Sequence, residues 1–192
     1  MSRSPDVSWH AGAVTRDGRA SRGGTLWFTG LPSSGKSTFA AAVEQRLVEA
    51  GRPAYLLDGD NLRHGLNGDL GFSAADRAEN VRRAGEVAAL FADGGVIALV
   101  SLVSPYEADR RGARDAHQRS GLPFAEVFVD TPVEECERRD PKGLYAKARA
   151  GEITGFTGVD DPYERPASPE LRLTPELTLE AAVEEALHWI PR

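Results

Sequence analysis

The sequence has very little cysteine and no long hydrophobic run. Its 192 residues include one cysteine, Cys136, which excludes an intramolecular disulfide. We predict that Cys136 is a small core residue, because it lies in an apolar helical pattern with no histidine near it in the sequence. No apolar run approaches the length that spans a bilayer, and the first residues lack the basic-then-apolar pattern of a secretion signal. We therefore expect a cytoplasmic protein with no membrane partner.

The chain carries an excess of negative charge, with a formal net charge of −6. This balance argues against general nucleic-acid binding but leaves room for a local basic pocket. The hydrophobic content of 41% and charged content of 27% are typical of a globular protein, and the length suits one domain. We predict an N-terminal arm at residues 1–23, with Trp9 and His10 as its bulky residues, and a single domain at 24–192.

Short apolar segments alternate with helical patterns along the domain. A helix is predicted from about Lys36 to Ala50, and a long one is capped by Ser73. Another is expected to begin with Pro132 at its first position. This alternation predicts an α/β, three-layer fold with a parallel five-stranded sheet and helices on both faces; the motifs below assign it to the P-loop kinase type. The predicted strands are Thr25–Thr29, Pro53–Leu57, Val96–Val103, Phe124–Val129 and Leu171–Leu173.

The strongest single motif lies between the first predicted strand and helix. It fits the phosphate-loop pattern G-x-x-x-x-G-K-[ST], in which backbone N–H groups surround phosphate oxygens. Lys36 would reach the β- and γ-phosphates of ATP, and the Ser37 hydroxyl would bind Mg²⁺. Pro32 removes one N–H donor from the loop. The residues of the predicted ATP site here are Gly30, Leu31, Pro32, Ser33, Ser34, Gly35, Lys36, Ser37 and Thr38.

Other features favour transfer of a phosphoryl group over its hydrolysis. Asp58 and Asp60 follow the second strand and are the best acidic candidates near Mg²⁺ or an acceptor, because no aspartate ends the third strand. The Gly/Pro-rich stretch at about 140–169 shows no strong periodicity and is predicted to be an irregular loop that acts as a lid and excludes water. No Asn-Lys-x-Asp base-recognition motif of switch GTPases is present.

The acceptor side carries arginines and loop aromatics. Arg63, Arg77 and Asn80 predict an anionic acceptor, because arginine forks bind phosphate or sulfate in a bidentate manner. Phe72 and Phe156 lie in glycine-containing polar loops and could clamp a planar base. The neighbouring arginines 82 and 83 are interpreted as solvated helix charges.

Several blocks together resemble the adenylylsulfate kinase (APS kinase) family. The resemblance runs from about Trp9 to Leu171. It implies a reaction in which ATP and adenosine 5′-phosphosulfate (APS) give ADP and 3′-phosphoadenosine 5′-phosphosulfate (PAPS). It also implies Mg²⁺, a nucleoside-monophosphate-kinase-like sheet and a homodimer. The most specific blocks are Asp58–Asn67, Asp76–Asn80, Ser104–Tyr106, Arg139–Tyr145 and Gly155–Gly158.

The resemblance also implies roles for individual residues. Asp60 would orient or deprotonate the 3′-hydroxyl, and Lys142 would neutralise charge on the transferring phosphoryl group. Arg63, Arg77 and Asn80 would hold the phosphosulfate, Phe72 and Phe156 would sandwich the APS adenine, and Arg139 would line the ATP base site. Ser104 matches a serine described in the family as a phosphoserine intermediate. We favour contact with APS for Ser104, because in-line transfer needs only positioning and electrostatics.

Two alternatives remain open. One is a kinase of the same fold with another acceptor, although the arginines argue against an uncharged one. The other is a non-catalytic nucleotide-binding partner of ATP sulfurylase, the enzyme that makes APS. The intact Lys36, Asp60 and lid residues argue against a binding-only module.

Overall fold

A sheet of five parallel strands forms the centre of the protein. The computed structural model describes residues 8, 10 and 12–191. The strands are β1 (Gly24–Thr29), β2 (Ala54–Asp58), β3 (Ile97–Ser101), β4 (Phe124–Val129) and β5 (Leu171–Leu173). Their order across the sheet is β2-β3-β1-β4-β5, with every pairing parallel. The strand order therefore reverses around β1, and in such sheets ligands bind beyond the carboxyl ends at this point.

Helices cover both faces of the sheet. On β1 the side chains alternate, so Leu26 and Phe28 join one apolar cluster and Trp27 joins the other. The helices are α1 (Lys36–Glu49), α2 (Gly59–Leu62), α3 (Ala74–Asp93), α4 (Glu107–Arg119), α5 (Val133–Arg139), α6 (Leu144–Arg149) and α7 (Leu179–His188). The first cluster also includes residues of α1 and α7, and the second includes residues of α3 and α4. The predicted three-layer fold is confirmed.

Local sequence signals set the ends of the two helices that flank the site. Helix α1 ends at Glu49, and Gly51, just beyond the C-cap, has a φ of +72°. The N–H of Arg52 then bonds to the carbonyl of Leu47, completing a Schellman turn. At the start of α3, the Ser73 side chain accepts the Asp76 N–H, so the predicted cap is confirmed.

Two predictions about the segment after β4 were wrong. Pro132 is the N-cap of α5, and the first helical residue is Val133. The predicted irregular stretch after residue 140 contains α6, a helix of six residues. A helix this short spans fewer than two turns, so it cannot display a hydrophobic period.

Part of the predicted arm packs on the domain. A 3₁₀ turn at Arg16–Gly18 places the Arg16 guanidinium 2.8 Å from the Asp93 carboxylate and 2.9 Å from the Ser120 carbonyl oxygen. Trp9 lies outside the described residues. Among the residues that are described, no helix combines the length and apolar character needed to cross a membrane.

Candidate active site

The polar segments that follow β1, β2 and β3 meet at one edge of the sheet. Asp58 at the end of β2 pairs in register with Ser101 at the end of β3, and Ser101 pairs with Phe28 of β1. The Ser37 hydroxyl donates to Asp58 Oδ2 at 2.6 Å and lies 3.1 Å from the Ser101 hydroxyl. The phosphate loop, the end of β2 and the end of β3 therefore form one crevice, as the strand pattern predicts.

The phosphate loop takes backbone conformations that favour glycine at several positions. Gly30 has a φ of +152°, and a Cβ there would lie 2.6 Å from the Val129 carbonyl oxygen, so no side chain fits. Gly35, at +104°, is followed directly by α1. Ser33 also has a positive φ, of 61°, which is costly for a residue with a side chain. The Ser34 carbonyl accepts bonds from Thr131 and Arg139 at 2.8 and 3.3 Å, which braces the loop against α5.

Lys36 is folded over this loop. Its ammonium donates to the Leu31 carbonyl oxygen at 2.6 Å, and its side chain is buried. Burial lowers the pKa of Lys36 to about 8, and nearby Cys136, Asp58 and Asp60 oppose the shift in part. A buried cation held by one loop carbonyl is ready to exchange that carbonyl for phosphate oxygens.

The oxygen groups beside Ser37 suit Mg²⁺. The Ser37 hydroxyl and the Asp58 carboxylate are hard oxygen donors within hydrogen-bond distance of each other. Within the described part of the chain, no group of three His, Cys, Asp or Glu side chains could hold a metal by itself. Mg²⁺ commonly uses one or two protein oxygens and completes its shell with substrate phosphates and water. The residues present fit that mode of binding.

Asp60 and Lys142 join the end of β2 to the lid. The Asp58 side chain caps α2 by accepting hydrogen bonds from the backbone N–H groups of Asp60 and Asn61. These bonds hold the backbone of Asp60 in place. Lys142 then forms an ion pair with Asp60 Oδ2. Both side chains are more than half exposed, so this pair adds little stability and is free to rearrange.

Arg63 and Arg77 surround Phe72. The Arg63 guanidinium lies 4.2 Å from the centre of the Phe72 ring and donates to the carbonyls of Leu70 and Gly71 at 3.0 Å. Burial lowers the pKa of Arg63, the charge on Arg77 adds to this, and Asp60 opposes it. Phe72 itself is 66% exposed, so its ring is available to a ligand.

Arg77 connects the acceptor side to the lid. Its Nε donates to the Phe72 carbonyl at 3.0 Å and its Nη2 to the Gly155 carbonyl at 2.7 Å. The Asp160 carboxylate accepts the N–H groups of Gly155 and Phe156, both at 2.7 Å, which shapes the lid turn. Arg77 thus links the backbone at Phe72 to the backbone at Gly155, the residue before Phe156.

Ser104 lies inside the protein. Its hydroxyl accepts the Trp27 indole N–H at 3.1 Å and donates to the Thr29 hydroxyl at 2.9 Å. It has a φ of 40°, and Arg110 donates to its carbonyl oxygen at 2.8 Å. These contacts favour a role in holding the turn after β3, and a direct contact of Ser104 with substrate stays a prediction.

The remaining residues considered in the sequence analysis lie outside the crevice or at its border. Arg139 binds Glu135 at 2.8 Å and the phosphate loop at Ser34. Cys136 is fully buried, and burial raises the pKa of its thiol, as expected of a core residue. Arg82 and Arg83 form ion pairs with Glu79 on the surface of α3, in agreement with their interpretation as helix charges.

Two residues with structural roles at the site were missed by sequence reasoning. The Tyr145 hydroxyl donates to the Pro32 carbonyl at 3.0 Å, and its ring packs edge-on against Phe156 at 4.9 Å. Asn67 is fully buried and hydrogen-bonds to Asn80. Both residues lie inside the sequence blocks that resemble the family, but no local pattern indicates what they contact.

A cleft of about 940 Å³ opens on the other side of the phosphate loop. It is lined by Leu31, by lid residues 158–163 and by residues 174–176 after β5. A volume of this order accommodates a small organic ligand. Space for a ligand therefore exists on the β4–β5 side of the loop, opposite Arg63 and Arg77.

Comparison with known proteins assigns the family. Residues 22–174 match the sequence profile described as "Adenylylsulphate kinase". The chain belongs to the adenylylsulphate kinase family. An adenylyl-sulfate kinase from Clostridium acetobutylicum is 49% identical over 193 residues, covering 98% of this chain and 95% of that protein. The family resemblance predicted from the sequence motifs is confirmed.

Solved structures agree with this family assignment. A Mycobacterium tuberculosis APS kinase, CysC, in complex with AMPPNP and APS, has a TM-score of 0.86 and 59% identity, covering 88% of this chain and 98% of that one. A gluconokinase from Sinorhizobium meliloti, with 19% identity and a TM-score of 0.53, shares the fold alone.

Some family members are much longer than this chain. The bifunctional enzyme CysN/CysC of Mycobacterium tuberculosis is 58% identical over 184 residues, which cover 96% of this chain but 30% of that protein. The chain therefore spans about a third of the bifunctional relatives that it matches.

Proposed function

We propose that this protein is an adenylyl-sulfate kinase, which transfers the γ-phosphoryl group of ATP to the 3′-hydroxyl of APS and releases PAPS and ADP. The observation that carries the proposal is the position of Asp60. Its charge acts on the pKa of both Lys36 in the phosphate loop and Arg63 on the acceptor side. It also pairs with Lys142 of the lid. The Asp60 carboxylate thus lies between the residues suited to bind ATP, the phosphoryl donor, and those suited to bind APS, the acceptor.

On the donor side, the chain supplies charge and backbone donors. Lys36 would exchange the Leu31 carbonyl for phosphate oxygens, and the loop N–H groups would hold the same phosphates. Ser37 and Asp58 would hold Mg²⁺, which neutralises phosphate charge when bound. The cleft beyond β4 and β5 offers room for the nucleoside part of ATP, with Arg139 beside the loop.

On the acceptor side, polar and charged residues suit the phosphosulfate end of APS, and aromatic residues suit its adenine end. Arg63, Arg77 and Asn80 would hold the phosphosulfate, and Phe72 and Phe156 would stack on the adenine. Stacking of a base on an aromatic ring is worth about 1–3 kcal/mol. Arg77 contributes to both groups, because it also holds the backbone at Phe72 and Gly155.

The catalytic step would need positioning and charge more than covalent chemistry. Asp60 would accept a hydrogen bond, and then the proton, from the 3′-hydroxyl as that oxygen attacks. Lys142 would leave its ion pair with Asp60 and neutralise charge on the moving phosphoryl group. Because this pair is exposed, its rupture costs little.

A release assay for ADP tests the proposal. Wild-type protein with ATP and Mg²⁺ should release ADP rapidly only when APS is added. Asp60→Ala should abolish this release while ATP binding, measured by calorimetry, stays nearly unchanged. Asp115→Ala, which removes an exposed carboxylate of α4, is the matched control and should behave as wild type.

The other outcomes identify the alternatives. Equal ADP release with and without APS would indicate an ATPase. Stimulation by a different anionic acceptor would indicate another small-molecule kinase, and ATP binding without turnover under any condition would indicate a binding partner of ATP sulfurylase. Homodimer formation and a cytoplasmic location remain proposals, supported by the family resemblance.

A further inference from the structure

We infer that Asn67 is a positioning residue that fixes the amide of Asn80 so that its NH₂ group, and not its carbonyl, faces the anionic end of the acceptor. The inference rests on the proposed function, because it concerns the same acceptor site. In this role Asn67 acts through Asn80 and not by contact with the substrate.

Asn67 is held rigidly beneath the acceptor side. It is 0% exposed and lies in the turn between α2 and α3. Its N–H donates to the Leu62 carbonyl at 2.9 Å, and its own carbonyl accepts the Leu70 N–H at 3.2 Å. With both backbone groups bonded and the side chain buried, Asn67 has little freedom to turn.

The side chain of Asn67 binds one end of Asn80. Asn67 Nδ2 donates to Asn80 Oδ1 at 2.9 Å. A primary amide has one acceptor end and one donor end, so this bond leaves the Nδ2 end of Asn80 for a ligand. Asn80 is 6% exposed and lies three residues after Arg77, on the same face of α3.

Anion recognition depends on which end of this amide is presented. A phosphate or sulfate oxygen only accepts hydrogen bonds, and the NH₂ group of Asn80 only donates them. The reversed amide would present a carbonyl oxygen to the anion and repel it. Asn67 therefore supplies selectivity for an anion without contacting it.

A second feature supports a functional reason for this arrangement. Asn67 Oδ1 is buried and has no hydrogen-bond partner among the residues that the structure describes. An orphaned buried acceptor is destabilising, so the fold retains this pair at the expense of stability. Such groups are uncommon in folded proteins and call for a specific explanation.

The variant Asn67→Asp tests the inference with almost no change in shape. A carboxylate cannot donate, so Asn80 would turn its NH₂ group toward residue 67 and present its carbonyl to the acceptor. We expect the KM for APS to rise at least tenfold, with the KM for ATP within twofold of wild type. Asn67→Ala should have a smaller effect, because it frees the Asn80 amide without reversing it.

A double-mutant cycle separates this role from a general loss of structure. In an Asn80→Ala background, Asn67→Asp should raise the KM for APS no further, since no amide remains to be reversed. Gln118→Glu makes the same amide-to-acid change at an exposed position of α4 and should behave as wild type. If Asn67→Asp does not fold, the same cycle is carried out with Asn67→Ala.

The activity of the wild-type protein distinguishes failure of this inference from failure of the proposed function. If wild-type protein shows no APS-dependent ADP release, the proposed function itself is wrong. If wild type is active and Asn67→Asp keeps a normal KM for APS, or the two substitutions add independently, the inference about Asn67 is overturned. A large effect of Asn67→Asp that vanishes in the Asn80→Ala background supports it.

Discussion

The hydroxyl group of Tyr145 donates a 3.0 Å hydrogen bond to the carbonyl oxygen of Pro32, so the lid is tied directly to the phosphate loop. The Tyr145 ring also packs edge-on against Phe156, 4.9 Å away. Gly158 of the lid has a φ of +93°, which disfavours a side chain, and a Cβ there would lie 2.8 Å from Leu31 Cδ2 of the loop. The lid thus contacts the phosphate loop at two points, and within the lid Tyr145 connects one of them to the Phe156 ring.

Tyr145→Phe should weaken ATP binding and leave APS binding intact. The substitution removes the bond to the Pro32 carbonyl, worth about 0.5–1.5 kcal/mol, but keeps the ring against Phe156. We expect the KM for ATP to rise about threefold to tenfold in steady-state kinetics. Tyr55→Phe removes an exposed hydroxyl on β2 and serves as the control. An unchanged KM for ATP would show that the Tyr145 hydroxyl does not support the loop.

Arg77→Ala should raise the KM for APS by one to two orders of magnitude. The loss corresponds to about 1.5–3 kcal/mol for hydrogen bonds to a charged group. The KM for ATP should change little, because Arg77 contacts Phe72 and Gly155 and not the phosphate loop. Arg82→Ala, on the same helix but paired with Glu79 at the surface, is the matched control. Equal effects of the two variants would remove Arg77 from the acceptor site.

The pH dependence of kcat/KM for ATP should report Lys36. Burial lowers the pKa of this side chain to about 8 in the nucleotide-free protein. Phosphate binding needs the charged form, so kcat/KM for ATP should fall as pH rises through about 8, since this parameter reflects the free enzyme.

A control for the Lys36 assignment uses the other substrate. At saturating ATP, bound phosphates favour the charged form of Lys36 and move its titration to higher pH. The profile of kcat/KM for APS should therefore show no decline near pH 8. A decline of both parameters at the same pH would point to a different group.

Ser104→Ala should reduce stability more than activity. The variant leaves the buried Trp27 indole N–H without its acceptor, which costs about 1–3 kcal/mol. We expect a lower free energy of unfolding in urea, with kcat within about threefold of wild type. Ser120→Ala, at the exposed end of α4, provides the comparison. A loss of kcat beyond a hundredfold in folded protein would favour a phosphoserine step.

The sequence predicts the features of this protein that depend on neighbouring residues. The strand before the phosphate loop, the helix after it and the Ser73 cap each follow from a short pattern, and all agree with the structure. The strand pattern also brings Asp58 and Ser37 to one crevice, because parallel strands end at the same edge.

The missed contacts depend on tertiary packing. Tyr145 and Pro32 are 113 positions apart, and Lys142 and Asp60 are 82 apart, so no local pattern connects them. The family resemblance supplied roles for Asp60 and Lys142 but not the ion pair between them. Asn67 ends the Asp58–Asn67 block, yet only its burial and its bond to Asn80 suggest a role for it.

Identification of the reaction product tests the central claim most directly. Purified protein is incubated with ATP, Mg²⁺ and APS, and the products are separated and analysed by mass spectrometry and ³¹P NMR. We expect one ADP for each PAPS, with the new phosphoryl group on the 3′ oxygen and the 5′-phosphosulfate intact. Release of inorganic phosphate with unchanged APS, or a phosphoryl group at any other position, would contradict it.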